Sequence, residues 1–284
     1  MILEGCIGDT YGAGFEFATR EIIVEKNNLT EYIPHPNFKS VFKKYTDDTQ
    51  MALALTELIL EGVDWTPVTI ADKFVNVFKR DPREGYASRF YKLLNEVTNG
   101  KELLQFIEPQ SIRNGAAMRA YPLGILSDLN ELKEKSKIQA SITHNTHQGI
   151  ISSEAIALMS FYTFHKKGSL FDLGDFLSYQ QGINWSKNWT GEVQIDGLQT
   201  VEAVLTILSN HPTTMSEILI QSVDFGGDVD TVASLTMAIA SNSQEVENDL
   251  PSWLYDDLEN GVYGKDYIMS IDEKISSNGG PVFH

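Results

Sequence analysis

Two short stretches of this 284-residue chain concentrate acids and hydroxyls. The first is Tyr45-Thr-Asp-Asp-Thr-Gln50, where Asp47 and Asp48 stand side by side just before an apolar run. One Asp or Thr at a helix start satisfies orphan amides and suits the helix dipole. A second adjacent carboxylate is repelled by the first, and a cation between them removes the repulsion. The second stretch is Asp224-Phe-Gly-Gly-Asp-Val-Asp-Thr231. Asp228, Asp230 and Thr231 again lead into an apolar segment, and the two glycines before them allow a tight turn. If the two segments lie side by side, Thr46, Asp47, Asp48, Asp228, Asp230 and Thr231 offer a set of oxygen ligands. Hard oxygens without His or Cys suit Mg²⁺ or Mn²⁺ rather than Zn²⁺. Two divalent cations neutralise the four carboxylates, whereas one would leave an uncompensated pair in a partly buried site.

The elements that must hold these clusters read as helices. Asp47 to Leu60 has good helix formers and apolar residues on more than one face. Thr66-Pro67 reads as a cap followed by Pro at the first helical position, opening Val68 to Phe78. Arg113 to Leu129 and Gly149 to His165 show apolar residues at helical spacing, and Asn130 opens another amphipathic stretch. Val201 to Ser209 and Thr213 to Val223 follow, the latter capped by Thr213 or Thr214 with Glu217 in support. Thr231 to Ala240 is almost wholly apolar, which predicts a central helix. Gly168 to Gly174 and Gln181 to Gly191 read as loops. No alternating strand pattern, dividing linker or internal repeat stands out. The expectation is an all-α fold, a single domain over residues 1–284.

Bulk composition narrows the function. With 42% hydrophobic residues the chain can bury a sizeable core. A net charge of -17 repels polyanions, and the basic groupings Lys133/Lys135/Lys137 and Lys166/Lys167 are short. Binding to duplex nucleic acid is therefore not expected. The one cysteine, Cys6, excludes an internal disulfide framework and favours a cytoplasmic location. Met1 to Tyr11 lacks a basic leader region and is not read as a signal peptide. No apolar run of about 18 residues predicts a membrane helix, so no membrane partner is expected.

Six motifs in order then carry a resemblance. They are Gly5-Cys-Ile-Gly-Asp-Thr-Tyr-Gly-Ala-Gly-Phe-Glu16, Tyr45 to Met51, Asn114-Gly-Ala-Ala-Met-Arg119 with Pro122-Leu-Gly behind it, Thr143-His144, Gly226 to Thr231, and Leu250-Pro-Ser-Trp253. Together they resemble the ADP-ribosylglycohydrolases over nearly the whole chain. The resemblance implies an all-α orthogonal bundle with a binuclear Mg²⁺ or Mn²⁺ site at its centre. It implies hydrolysis of the glycosidic bond between ADP-ribose and an acceptor, which is a protein side chain or a small molecule. Thr46, Asp47, Asp48, Asp228, Asp230 and Thr231 would be the metal ligands, and Glu16 would sit on a mobile loop over the metals. Asn114 and Gly115 would lie by the ribose and diphosphate, and His144 would line the ribose pocket.

Within this frame Glu16 is the candidate acid/base or ribose-positioning carboxylate, with Asp47 and Asp48 catalytic through the ions they hold. Asp9 is the substitute if Glu16 is not. Gly12-Ala-Gly14 reads as a hinge for Glu16. Two divalent ions would orient ribose hydroxyls and acidify a water as the bond breaks through an oxocarbenium-like state. Amides at the start of a Gly115-Ala116 helix suit the diphosphate, flanked by Arg113 and Arg119. The sequence departs from the family where Asn145-Thr-His147-Gln-Gly149 replaces a Pro-containing run. His147 is then a second pocket candidate or a plain helix-start residue. Trp185 and Trp189 either stack adenine or pack on the domain.

Rival readings fit less well. An isoprenoid-synthase motif wants a third Asp where Met51 stands. A haloacid-dehalogenase phosphatase wants a strand before Asp228, not Gly226-Gly227. A Ca²⁺ loop wants a Glu at its twelfth position, which is absent. The class-level alternative is an inactive ADP-ribose binder on the same scaffold.

Overall fold

Gly5, Gly8 and Gly12 recur at intervals that put bare backbone along one face of a helix. In the computed structural model, which describes residues 1–277, that face is where two helices meet. Helix α1 (Ile2–Ala13) lies along α12 (Val229–Ala240). A Cβ on Gly8 would stand 2.3 Å from the Ala233 carbonyl oxygen, and one on Gly12 would stand 2.5 Å from the Asp230 Cα. The expected hinge at Gly12 to Gly14 is therefore not one. Gly12 is inside α1 against Asp230, and a Cβ on Gly14 would stand 2.6 Å from the Ile33 oxygen. These glycines permit close approach rather than bending.

The other helices are α2 (Arg20–Lys26), α3 (Asp47–Glu61), α4 (Pro67–Arg80), α5 (Ser88–Glu96) and α6 (Gly100–Phe106). Then come α7 (Leu129–Thr143), α8 (His147–Phe164), α9 (Leu173–Gln181), α10 (Gly197–Ser209) and α11 (Met215–Asp224). After α12 follow α13 (Trp253–Asp256) and α14 (Lys265–Ser277). No β-strand occurs among the described residues, only isolated bridges such as Val193 with Gly227. No described helix is long and apolar enough to cross a membrane. Residues 278–284 of the expected domain lie outside the described residues.

Local chemistry explains the boundaries. Thr66 caps α4 by accepting the Thr69 amide, with Pro67 at the first position. Thr214, not Thr213, caps α11 by accepting from Glu217 N. The stretch 113–129 is not one helix. It makes 3₁₀ turns at Asn114–Ala116 and Tyr121–Ile125, because Pro122 has no amide to donate and its ring crowds the preceding turn. The expected loop at Gly168 to Gly174 holds a 3₁₀ turn and the start of α9.

Every residue of α12 is buried, and it packs among α1, α8, α10 and α11. Helix α3 serves two cores. Ala52 and Leu53 join the main one around α12, while Met51, Leu55 and Leu58 join a second with Phe74 and Phe78 of α4. The apolar residues on more than one face of α3 have this cause. Consequently α3 and α12 both begin beside α1, each with its acidic cluster at its first turn.

Candidate active site

At the N-termini of α3 and α12 the question is whether the acids merely cap. They do not. Thr46 occupies the N-cap of α3 and Asp228 that of α12, yet neither side chain makes a capping bond. At α3 the work is done from outside by Asp9 of α1, which is fully buried. Its two oxygens accept from Thr46 N at 3.0 and 3.1 Å, Thr46 Oγ1 at 2.8 Å, Thr49 N at 3.1 Å and Thr49 Oγ1 at 2.6 Å. With both oxygens so occupied, Asp9 organises the first cluster and has no room to act as an acid or base on substrate. Asp47 and Asp48 are thereby released toward a cavity of about 1060 Å³, which Asp228, Asp230, Thr231 and Glu16 also line.

The carboxylates crowd one another. One oxygen each from Glu16, Asp228 and Asp230 lie within 4.8 Å of one another. Burial and the neighbouring charges of Asp9 and Glu16 push Asp47 well above the usual carboxylate range; burial and Asp47 do the same to Asp48. Asp228 is pushed up to about 7, by burial and then by Glu16, and Asp230 is raised by the same two causes. One oxygen of Asp48 is buried without any hydrogen-bond partner. An orphaned buried oxygen amid mutually repelling carboxylates is what a hard divalent cation relieves, so the residues present fit one. Thr46 keeps a lone pair after giving its proton to Asp9.

The second cluster is shaped by its glycines. Gly226 and Gly227 take left-handed φ of 73° and 86°, and a Cβ on Gly227 would stand 2.0 Å from the Val193 oxygen. Phe17 N donates to the Gly227 oxygen at 2.8 Å, pinning the turn that carries Glu16 beside this loop. Asn114 Nδ2 donates to Asp228 Oδ2 and to Thr200 Oγ1. Its amide donor is thus committed to orienting Asp228, although the residue lines the cavity. Across the site Gly85, at φ 103°, leans on Asp47, whose amide donates to the Glu84 oxygen at 3.1 Å.

Residues 1–279 match the protein-family profile described as ADP-ribosylglycohydrolase. The chain belongs to that family. It is 22% identical to the ADP-ribosylhydrolase ARH3 of Mus musculus, over 89% of this chain and 84% of that one. It is 26% identical to the ADP-ribosyl-[dinitrogen reductase] glycohydrolase of Rhodospirillum rubrum, over 87% and 85%. A solved structure described as an ADP-ribosylglycohydrolase-related protein complex superposes with a TM-score of 0.71. That likeness covers 97% of this chain and 95% of the other at 20% identity, and it shows the shared all-α fold.

The ADP-ribosylglycohydrolase resemblance did not single out His35, which has no motif around it. Its Nε2 lies 2.5 Å from Glu16 Oε2, and its Nδ1 accepts the amides of Asn37 and Phe38 at 2.9 and 3.0 Å. An Nδ1 that accepts twice leaves the proton on Nε2, so His35 donates to Glu16. The remaining Glu16 oxygen is not taken up by this bond.

Other candidates fall elsewhere. His144 is buried beside Gly115 and lines the cavity. His147 does not: it is exposed at the first position of α8, after Thr146 has capped the helix, and is absent from the cavity wall. Gly115 lies inside a three-residue 3₁₀ turn, Asn114–Ala116, too short for a helix dipole to favour a diphosphate. Arg113 and Arg119 both line the cavity; Arg113 is exposed there, whereas Arg119 is buried and bonded to Gln139 and Thr143. Trp185 is buried with Nε1 donating to Gln181, Trp189 donates to the Gly191 oxygen, and neither lines the cavity. Both pack on the protein instead of offering a stacking face there.

Proposed function

We propose that this chain is a divalent-cation-dependent hydrolase that cleaves the glycosidic bond between ADP-ribose and an acceptor, an ADP-ribosylated protein side chain or a small molecule. The carrying observation is the gathering of Asp47, Asp48, Asp228, Asp230 and Glu16 at a cavity large enough for a dinucleotide-sized ligand. Burial, one another, Asp9 and Glu16 dominate the environment of the four Asp, and no Lys or Arg is among their principal influences.

Two cations would be held by these four Asp with the hydroxyls of Thr46 and Thr231, and would supply Lewis acidity toward ribose hydroxyls and water. The protein's own part is positioning and proton transfer. As the glycosidic bond lengthens toward an oxocarbenium-like state, an anionic group near the anomeric carbon stabilises it. Glu16, held by His35 through one oxygen, presents the other as the base toward an incoming water or as the acceptor for a ribose hydroxyl. His144, beside Gly115, contacts the sugar or diphosphate.

Incubation with ADP-ribosyl-arginine, ADP-ribosyl-serine and O-acetyl-ADP-ribose, with Mg²⁺, Mn²⁺ or EDTA, tests this. Release of free ADP-ribose from at least one substrate with metal, and none with EDTA, is the expected result. ADP-ribose binding without any release would return the chain to the inactive-binder class.

A further inference from the structure

Thr143 and His144 close α7, and their side chains meet: Thr143 Oγ1 lies 2.6 Å from His144 Nδ1. The same oxygen accepts from Arg119 Nη2 at 2.8 Å. Arg119, the largest fully buried side chain, donates through Nε to Gln139 Oε1 at 2.6 Å and through Nη2 to the Gln139 main-chain oxygen at 3.0 Å. Its guanidinium carbon sits 4.5 Å from the centroid of the Phe74 ring. Gln139 is held in turn by donating to the Ala116 oxygen at 3.0 Å and to Ser153 Oγ at 2.6 Å. Every member of this chain of bonds is buried.

Its direction follows from proton counting. A guanidinium only donates, so Thr143 spends a lone pair on Arg119. The Thr143 proton then needs an acceptor, and among the described residues the one in hydrogen-bond reach is His144 Nδ1. A neutral imidazole that accepts at Nδ1 carries its proton on Nε2. Burial, with Arg119 and Arg113 nearby, keeps the ring neutral by pushing its pKa down to about 3. The Nε2 edge meets Gly115, where a Cβ would stand 3.2 Å from Nε2 and 2.9 Å from Cε1. Glycine leaves that edge clear on the cavity side.

We propose that Arg119 and Thr143 are positioning residues that lock His144 in its Nε2–H tautomer, making it a fixed hydrogen-bond donor to an oxygen of the substrate's ribose or diphosphate. The identity of that acceptor rests on the functional reading above; the lock does not. Arg119, which itself reaches the cavity wall, thus acts on the substrate through Thr143 and His144.

The test is ¹⁵N NMR of the full chain labelled at histidine, with the His144 ring assigned by comparison with His144→Gln. Nδ1 should resonate as a bare, hydrogen-bonded nitrogen and Nε2 as a protonated one from pH 5 to 8. A protonated Nδ1, or a pair of averaged signals, overturns the lock whatever the protein binds. Thr143→Val should average the two signals and weaken ADP-ribose binding, measured calorimetrically with Mg²⁺, by about five- to tenfold. Thr143→Ser should restore both. Averaged signals with parental affinity would overturn the donor role. If Thr143→Val does not fold, the parent and Ser spectra still decide the tautomer, and Arg119→Lys, which cannot hold Gln139 and Thr143 together, replaces it in the binding assay. A parent that shows the expected tautomer yet binds no ADP-ribose counts against the substrate reading and leaves the lock standing.

Discussion

Asp230→Asn should stabilise the metal-free protein and destabilise the metal-loaded one. Asp230 has Glu16 and Asp228 oxygens within 4.8 Å. Two unit charges at that separation repel by roughly 3 kcal/mol at an effective dielectric of 20. Proton uptake relieves part of this, so about 2 kcal/mol is expected to survive at pH 8. Asparagine keeps the Oδ1 that accepts the Thr231 amide at 2.9 Å and removes the charge. In EDTA at pH 8 the variant should melt about 3–4 °C above the parent. The sign with pH follows from the raised pKa values of the cluster, Asp228 at about 7 among them. A folded pKa above the unfolded one stabilises below the unfolded value and loses that contribution as pH rises through the folded value. The advantage of the variant should therefore shrink from pH 8 to pH 5, and vanish only below the unfolded aspartate value of about 4. Saturating Mg²⁺ or Mn²⁺ reverses the order: at a hundred times Kd the parent gains about 2.7 kcal/mol, most of which the variant forfeits. Differential scanning calorimetry at both pH values, with EDTA and with metal, reads all four conditions. A variant lower by the same amount with and without metal, or a parent indifferent to metal, would refute the picture of gathered, repelling carboxylates.

Glu16→Gln should lower turnover about 10²-fold while leaving ADP-ribose affinity nearly intact, because a transition-state role is lost without shape change; turnover within a few-fold of the parent would remove Glu16 from the chemistry. His35→Ala should lower turnover about tenfold through a misplaced Glu16, with His35→Gln, which retains a donor, recovering part of it in the same assay. Gly12→Ala forces a Cβ against the Asp230 Cα at 2.5 Å and should cost about 1–3 kcal/mol by overpacking, with a weaker metal-induced rise in melting temperature. His147→Ala should change ADP-ribose affinity less than about twofold, since the side chain is exposed and off the cavity wall; a calorimetric titration checks it.

Much of the fold was legible because helices announce themselves locally. The run after Asp47 and the apolar segment after Asp230 have helical spacing and composition, and both form helices. Caps at Thr66 and Thr214 obey chemistry within four residues of themselves. The stretch 113–129 failed because apolar periodicity outweighed the proline inside it, which broke the helix into 3₁₀ turns. The doubled Asp in each cluster was informative for another reason: it exceeds what a cap can use, and that excess is visible in one dimension.

The sequence by itself determined the all-α class, the two acid-rich helix starts and the ordered motifs of the family. Those depend on residues adjacent along the chain. Only the tertiary structure decided that Asp9 caps α3 from 37 residues away, that His35 holds Glu16 from 19 residues away, and that Asn114 bonds Asp228 from 114 residues away. It likewise took His147 off the cavity and turned Gly12 from a hinge into a contact. The physical reason is common to all of these. A buried donor or acceptor must be satisfied, but which partner satisfies it depends on how packed helices bring distant backbones together, and local residue spacing does not encode that.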